Sequence, residues 1–125
     1  MKLLLDTHVF LTWLDNPALL SEHARVAIAD PTNHVYVSAA SIAEIDIEHM
    51  RGKLRLDEPP ERKLAACRFH ELPFLIRHAS ALRELPAKLS DPFRRILAAQ
   101  ALVESLTLVT RDKMMSHYEI RLIAA

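Results

Sequence analysis

The chain has 125 residues, 50% of them apolar and 26% charged, which is the size and composition of a single globular domain over residues 1–125. Basic and acidic side chains number 16 each, so the formal net charge is zero and any binding of nucleic acid needs a local basic patch. One glycine excludes glycine-rich phosphate loops, one cysteine excludes a disulfide framework, and no apolar run has membrane-spanning length, so we expect a cytoplasmic protein.

Short apolar runs alternate with helix-type sequence along the chain. The predicted strands cover residues 3–5, 35–37, 72–76, 106–109 and 120–123. The predicted helices cover residues 7–14, 21–29, 41–50, 59–69, 78–85, 92–103 and 113–117. This alternation indicates an α/β fold in which helices cover both faces of a mostly parallel sheet of about five strands.

Four carboxylates stand where predicted strands give way to helices: Asp6, Glu44, Asp91 and Asp112. The carboxyl ends of parallel strands meet at one edge of a sheet, so we expect these side chains to lie close together. Gathered carboxylates repel each other unless a cation neutralises them, and their hard oxygens suit Mg²⁺ or Mn²⁺. Such an ion activates a bound water and stabilises charge on a phosphate. The pattern therefore predicts a metal site for phosphodiester cleavage.

Each acid also has an ordinary structural explanation. Asp6, Asp91 and Asp112 each precede a predicted helix and can act as its N-cap. Glu44 lies three residues after Ser41, which is the spacing of a capping box. Taken singly, capping is the better explanation for Glu44 and Asp91. The recurrence of acids after successive strands favours the metal site, because capping does not require that recurrence.

Several motifs together resemble a PIN domain, and most closely the VapC-type ribonuclease toxins of toxin–antitoxin pairs. They are residues 4–8 (LLDTH), 20–25 (LSEHAR), 37–44 (VSAASIAE), 52–54 (GKL), 91–95 (DPFRR), 97–101 (LAAQA) and 108–112 (LVTRD). The resemblance implies a three-layer α/β/α sandwich and an endoribonuclease that depends on Mg²⁺ or Mn²⁺. It also implies a homodimer, an RNA substrate and neutralisation by a VapB-like antitoxin.

The resemblance also implies roles for individual acids. Asp6, Glu44 and Asp112 match the catalytic acids of the family. Asp6 and Asp112 would hold the metal directly or through water, and Glu44 would hold or position the attacking water. Asp91 would serve as an auxiliary metal ligand, one helical turn from the position of the family's third acid.

The chain departs from the family pattern at two positions. Related sequences carry an aspartate where this chain has Arg94, and a lysine where it has Glu48. A guanidinium in place of a ligand predicts weaker metal binding, about tenfold for each 1.4 kcal/mol of lost attraction. Because the two replacements reverse opposite charges, we also predict an ion pair between Glu48 and Arg94.

Polar side chains near the acids are candidate substrate contacts. Thr7 and Thr110 can orient water or phosphate, or equally cap helices, and Arg95 and Arg111 flank the acidic edge as candidate phosphate contacts. The seven histidines show no zinc-type spacing. Because of Arg94, the competing interpretation is a PIN-fold protein that binds antitoxin or RNA without cleaving it.

Overall fold

The structure, a computed structural model, describes residues 1–87 and 90–125. The strands in these ranges are β1 (Lys2–Leu5), β2 (His34–Ser38), β3 (His70–Leu72), β4 (Thr107–Thr110) and β5 (Leu122–Ala124). The α-helices are α1 (Thr7–Asp15), α2 (Glu22–Ala29), α3 (Ala39–Met50), α4 (Pro60–Ala66), α5 (Ile76–Ala81) and α6 (Pro92–Glu104). Short 3-10 helices cover Pro17–Leu19, Leu82–Glu84 and Lys113–His117.

The five strands form one parallel sheet in the order β3-β2-β1-β4-β5. The chain winds outward from β1 through β2 to β3, and then returns to the other side of β1 with β4. The winding therefore reverses between β1 and β4, which is where open α/β sheets bind their ligands. The predicted fold class is confirmed.

The apolar core has two parts, one on each face of the sheet. In β1, Leu3 and Leu5 point to one face, where they pack with residues of α1 and α2 such as Phe10 and Ile28. Leu4 points to the opposite face and packs with α6 residues such as Leu97. This alternation is the two-residue period of a strand that is buried on both sides. It produces the three layers, and none of the described helices is long and apolar enough to cross a bilayer.

The third strand is shorter and earlier than predicted. It covers His70–Leu72 rather than residues 72–76, because Pro73 has no amide hydrogen with which to continue the pairing to β2. The following residues form α5 from Ile76 onward, so the helix predicted at 78–85 begins two residues earlier.

The predicted ends of two other elements also need correction. The helix predicted to end at residue 69 stops at Ala66, two residues before Arg68 adopts a positive φ of 60°. The last strand begins at Leu122 rather than at residue 120.

Candidate active site

Asp6 and Asp112 are joined at the point where the winding of the sheet reverses. Asp6 directly follows β1, and Asp112 lies two residues beyond β4. The Thr110 hydroxyl donates to Asp6 Oδ2 at 2.6 Å and accepts from the Asp112 amide at 3.0 Å. One buried threonine therefore fixes both acids at the same edge of the sheet.

The three aspartates share one geometry. In each, Oδ1 accepts a hydrogen bond from the backbone amide two residues later, at 3.4 Å for Asp6, 3.0 Å for Asp91 and 3.0 Å for Asp112. In each, Oδ2 contacts a polar side chain instead. The predicted capping roles are thus confirmed. Capping orients each carboxylate and leaves its second oxygen for the site, so the two explanations of these acids are compatible.

Glu44 has a different position from the one expected of a capping box. The N-cap of α3 is Ser38, whose hydroxyl accepts from the Ala40 amide at 3.0 Å, so the helix begins before Ser41. Ser41 lies inside the helix, where its buried hydroxyl accepts from Thr7 at 2.9 Å. The capping box between Ser41 and Glu44 is therefore wrong, and Glu44 lies in the second turn of α3.

The charges of two other acids affect Glu44. Its pKa is raised above the ordinary value of 4.5, chiefly because the carboxylate is partly buried. Nearby Thr7 and His8 oppose this shift, whereas the negative charges of Asp91 and Asp6 add to it. Glu44 consequently holds a proton more tightly than an exposed glutamate does. We refer to Asp6, Glu44, Asp91 and Asp112 as the acidic pocket.

Arg94 is the cation that contacts this pocket. Its Nη1 lies 3.0 Å from Asp112 Oδ2, and its Nε lies 3.8 Å from Asp91 Oδ2. The Arg94 side chain is 34% exposed, whereas that of Asp112 is only 10% exposed. The guanidinium thus reaches inward from the protein surface onto a carboxylate that is largely shielded from water.

The ion pair predicted between Glu48 and Arg94 is wrong. Across residues 1–87 and 90–125, the carboxylates within 4.0 Å of the Arg94 guanidinium are those of Asp112 and Asp91. Arg94 lies in the first turn of α6, three residues after Asp91. Its side chain therefore reaches the start of α6 and the end of β4 rather than Glu48, which lies near the C-terminal end of α3.

The ligand chemistry of the acidic pocket fits Mg²⁺ or Mn²⁺, because all four side chains offer carboxylate oxygens. The arrangement itself is not that of a formed metal site. Within the described part of the chain, no three histidine, cysteine, aspartate or glutamate side chains are grouped closely enough to hold an ion. The Asp112 oxygen that faces the pocket is bonded to Arg94 instead.

The candidate substrate contacts divide into two groups. Thr7 and Thr110 lie at the pocket, but their hydroxyls donate to Ser41 and Asp6, so they position protein groups. Arg95 and Arg111 are engaged elsewhere. Arg95 donates to the backbone carbonyls of Leu82 and Pro86 at 2.9 Å each, and Arg111 donates to the carbonyl of Leu19. These bonds hold loops together. Because the guanidinium groups already donate to backbone carbonyls, they are less available for the phosphate contacts that the sequence led us to expect.

A second polar cluster, which the sequence did not reveal, joins α5 to α6. The Leu75 amide donates to Nδ1 of the fully buried His78 at 3.0 Å, so the ring proton lies on Nε2. Nε2 donates to Glu104 Oε2 at 2.7 Å, and Arg77 contacts the same oxygen at 2.9 Å. The spacing of 26 residues between His78 and Glu104 follows no local period, so no sequence motif marks this cluster.

The fold of the chain is similar to that of several toxin–antitoxin proteins of known structure. VapBC2 from Rickettsia felis, solved with a DNA fragment from its promoter, has a TM-score of 0.74 and 19% identity, with 99% of this chain and 98% of that chain covered. DNA-bound VapBC from Salmonella typhimurium has a TM-score of 0.71 and 20% identity, with 99% and 98% covered.

VapBC-5 from Mycobacterium tuberculosis, a member of the VapBC family of toxin–antitoxin systems, has a TM-score of 0.62 and 19% identity, with 99% and 98% covered. At such identities the likeness establishes the fold. No curated protein sequence matches the chain significantly. The family model of the PIN domain matches residues 3–120, which is nearly the whole chain. The chain therefore belongs to the PIN-domain family.

Proposed function

We propose that this PIN domain is an endoribonuclease toxin that cleaves RNA at the acidic pocket with the help of Mg²⁺ or Mn²⁺. The observation that carries the proposal is the shared geometry of the three aspartates. Each is held by its capping bond with Oδ2 turned away from the helix, and the chain of contacts through Thr110 and Arg94 joins all three at one edge. Helix caps that follow parallel strands converge on this edge in any case, but a neutral serine, threonine or asparagine would cap as well, so the choice of an acid at all three positions favours a common task.

The residues of the pocket divide the proposed work. When bound, a divalent ion would supply positive charge against the phosphate and activate a water. Asp6 and Asp112 would hold the ion, with Asp91 as an auxiliary ligand. The raised pKa of Glu44 makes it a better proton acceptor than an exposed glutamate, which suits a group that positions the attacking water and takes its proton. Thr110 would keep Asp6 and Asp112 in register.

The proposed partner is a VapB-like antitoxin, because the solved structures with this fold include VapBC toxin–antitoxin complexes. A groove of about 580 Å³ runs along α1 beside the pocket, and its lining includes His8, Leu11 and Leu56, which suits an apolar peptide with polar flanks.

We also propose that the protein forms a homodimer and acts in the cytoplasm. The exposed apolar side chains of Phe74 and Ile76 support self-association, which light scattering of the purified protein tests.

A second candidate function is a PIN-fold module that binds RNA or antitoxin without cleavage. One observation favours it. Arg94 carries a permanent positive charge and is bonded to Asp112, one of the two proposed main metal ligands. On this interpretation the acidic pocket has lost the catalytic function of the family site, and the Arg94 guanidinium stabilises the fold by neutralising part of the pocket's negative charge.

The two candidates are separated by cleavage of a mixed RNA substrate at increasing Mn²⁺ concentration. We expect cleavage by the wild-type protein and at least about a hundredfold loss in Asp6→Asn, because a metal ligand contributes several kcal/mol and each 1.36 kcal/mol is tenfold in rate. Asp30→Asn is the matched control. Asp30 also accepts from an amide two residues later, but it precedes β2 and so lies at the opposite edge of the sheet.

Equal cleavage by the wild-type protein and Asp6→Asn would mean that the pocket is not the site. Activity that appears only in Arg94→Asp would establish the binding module instead.

A further inference from the structure

We propose that Arg94 is an internal counter-ion that competes with a divalent cation for Asp112, and that it thereby sets the metal affinity of the acidic pocket. The inference rests on the proposed function for the identity of the competitor, Mg²⁺ or Mn²⁺. It adds that the guanidinium and the ion occupy Asp112 in alternation. The basis is the position of the 3.0 Å contact, which lies on Oδ2, the oxygen of Asp112 that its capping bond leaves available.

The contact places the guanidinium and an ion in competition for one carboxylate, because two positive charges repel each other at close range. Oδ1 of Asp112 accepts from the Met114 amide at 3.0 Å, so this oxygen fixes the start of the 3-10 helix. Oδ2 is the oxygen on the pocket side, and Arg94 Nη1 occupies it. Because Arg94 Nε also lies 3.8 Å from Asp91 Oδ2, the guanidinium lies between two proposed ligands. An ion that bound both aspartates would meet the positive charge at close range.

Charge explains why this arginine has a stabilising role in the absence of metal. The pocket contains four carboxylates, and Arg94 contacts two of them, Asp112 at 3.0 Å and Asp91 at 3.8 Å. A guanidinium remains protonated at every accessible pH, so its neutralising charge is permanent. The pocket therefore has a built-in substitute for part of the charge of an ion.

The contact is also one that can be released. The Arg94 side chain is 34% exposed, so its guanidinium can turn outward without disturbing the core. The neighbouring Arg95 provides the contrast, because both of its terminal nitrogens are bonded to backbone carbonyls that precede α6. Two adjacent arginines thus have different tasks, one structural and one available for exchange with an ion.

Calorimetric titration of the purified full chain with MnCl₂ tests the proposal without relying on RNA cleavage. We expect the Mn²⁺ affinity to increase at least about tenfold in Arg94→Gln and further in Arg94→Asp, and to stay near that of the wild type in Arg94→Lys, which keeps the charge. Arg77→Gln is the matched control, because it removes another arginine–carboxylate pair at a distance from the pocket, and its affinity should equal that of the wild type.

Thermal unfolding provides the second measurement and reports on folding of each variant. In chelator, Arg94→Gln should unfold at a lower temperature than the wild type, because Asp112 has lost its counter-ion. Mn²⁺ should restore most of that loss in Arg94→Gln and should change the wild type little.

Wild-type affinity equal to that of Arg94→Gln would overturn the proposal. If that wild-type protein also cleaves RNA, the proposed function survives while the counter-ion role does not. If no Arg94 variant binds Mn²⁺, the counter-ion role and the metal site fail together.

Discussion

The molecule contains two arginine–carboxylate clusters with opposite charge balance. At the junction of α5 and α6, a single carboxylate, Glu104, receives hydrogen bonds from both Arg77 and His78. In the acidic pocket, Arg94 contacts two of the four carboxylates, those of Asp112 and Asp91. The first cluster has more donors than its acid needs, and the second has fewer positive charges than its acids need.

The pKa shifts of the acids in the two clusters have opposite signs, as this difference in charge balance predicts. The pKa of Glu104 is lowered, first by the hydrogen bond from His78 and then by Arg77, which outweigh the effect of burial. The pKa of Glu44 is raised by burial and by neighbouring negative charges. Arginine–carboxylate contacts of similar length therefore have different roles in the two clusters. The Glu104 cluster, in which the acid has enough donors, stabilises the junction of α5 and α6. The acidic pocket, in which negative charge exceeds positive charge, can bind a further cation.

The largest effect on stability is expected at the Glu104 cluster. His78→Ala should lower the free energy of unfolding by about 3 kcal/mol, because it leaves a cavity and removes the partners of the Leu75 amide and Glu104. Urea denaturation measures this loss. Mn²⁺ affinity of the folded variant should not change, and a change would show that the two clusters are coupled.

The same variant has a defined pH dependence. The lowered pKa of Glu104 stabilises the fold above its ordinary value of 4.5, and this stabilisation is lost as the pH falls through the folded-state pKa. The difference between His78→Ala and the wild type should therefore narrow in acid. A constant difference at all pH values would assign the loss to the cavity alone.

A smaller effect of opposite sign is expected in the acidic pocket. The raised pKa of Glu44 means that the fold holds this proton more tightly than the unfolded chain, so stability decreases as the pH rises from 4.5 through the folded-state pKa. Glu44→Gln removes that penalty. Its melting temperature should exceed that of the wild type at about pH 7 and match it at about pH 4, while RNA cleavage decreases.

Circular dichroism melting curves at the two pH values measure the expected gain. Glu48→Gln, one turn later on the same helix, is the control for loss of a glutamate charge in α3. If the wild type were more stable than Glu44→Gln at neutral pH, the pocket would stabilise the charged form of Glu44 rather than destabilise it.

The smallest effect is expected for the exposed half of the Glu104 cluster. The Arg77 side chain is 60% exposed, so Arg77→Gln should change the free energy of unfolding by less than about 1 kcal/mol. Urea denaturation of Arg77→Gln and His78→Ala measures how much each of the two side chains contributes to the free energy of unfolding. A loss from Arg77→Gln as large as that from His78→Ala would contradict the view that the buried histidine is the main stabilising contact.

Much of the fold could be predicted because the signals are local. A run of three leucines followed by an aspartate marks β1 and the start of α1, and the aspartate before Pro92 marks the start of α6. The errors arose where local signals compete. Ser38 and Ser41 can both cap α3, and the choice depends on the pairing of β2 with β3, which extends to Ser38. Pro73 likewise ended β3 although apolar residues continue beyond it.

The sequence by itself determined the alternation of strands and helices, the acids at the strand ends and the presence of a cation among them. Only the tertiary structure decided that this cation, Arg94, contacts Asp112 rather than Glu48, and that His78 is buried against Glu104. Ionic partners are chosen by distance and burial once the strands are in register, because Coulomb attraction depends on separation in space and on the surrounding dielectric. Residue spacing along the chain contains neither quantity.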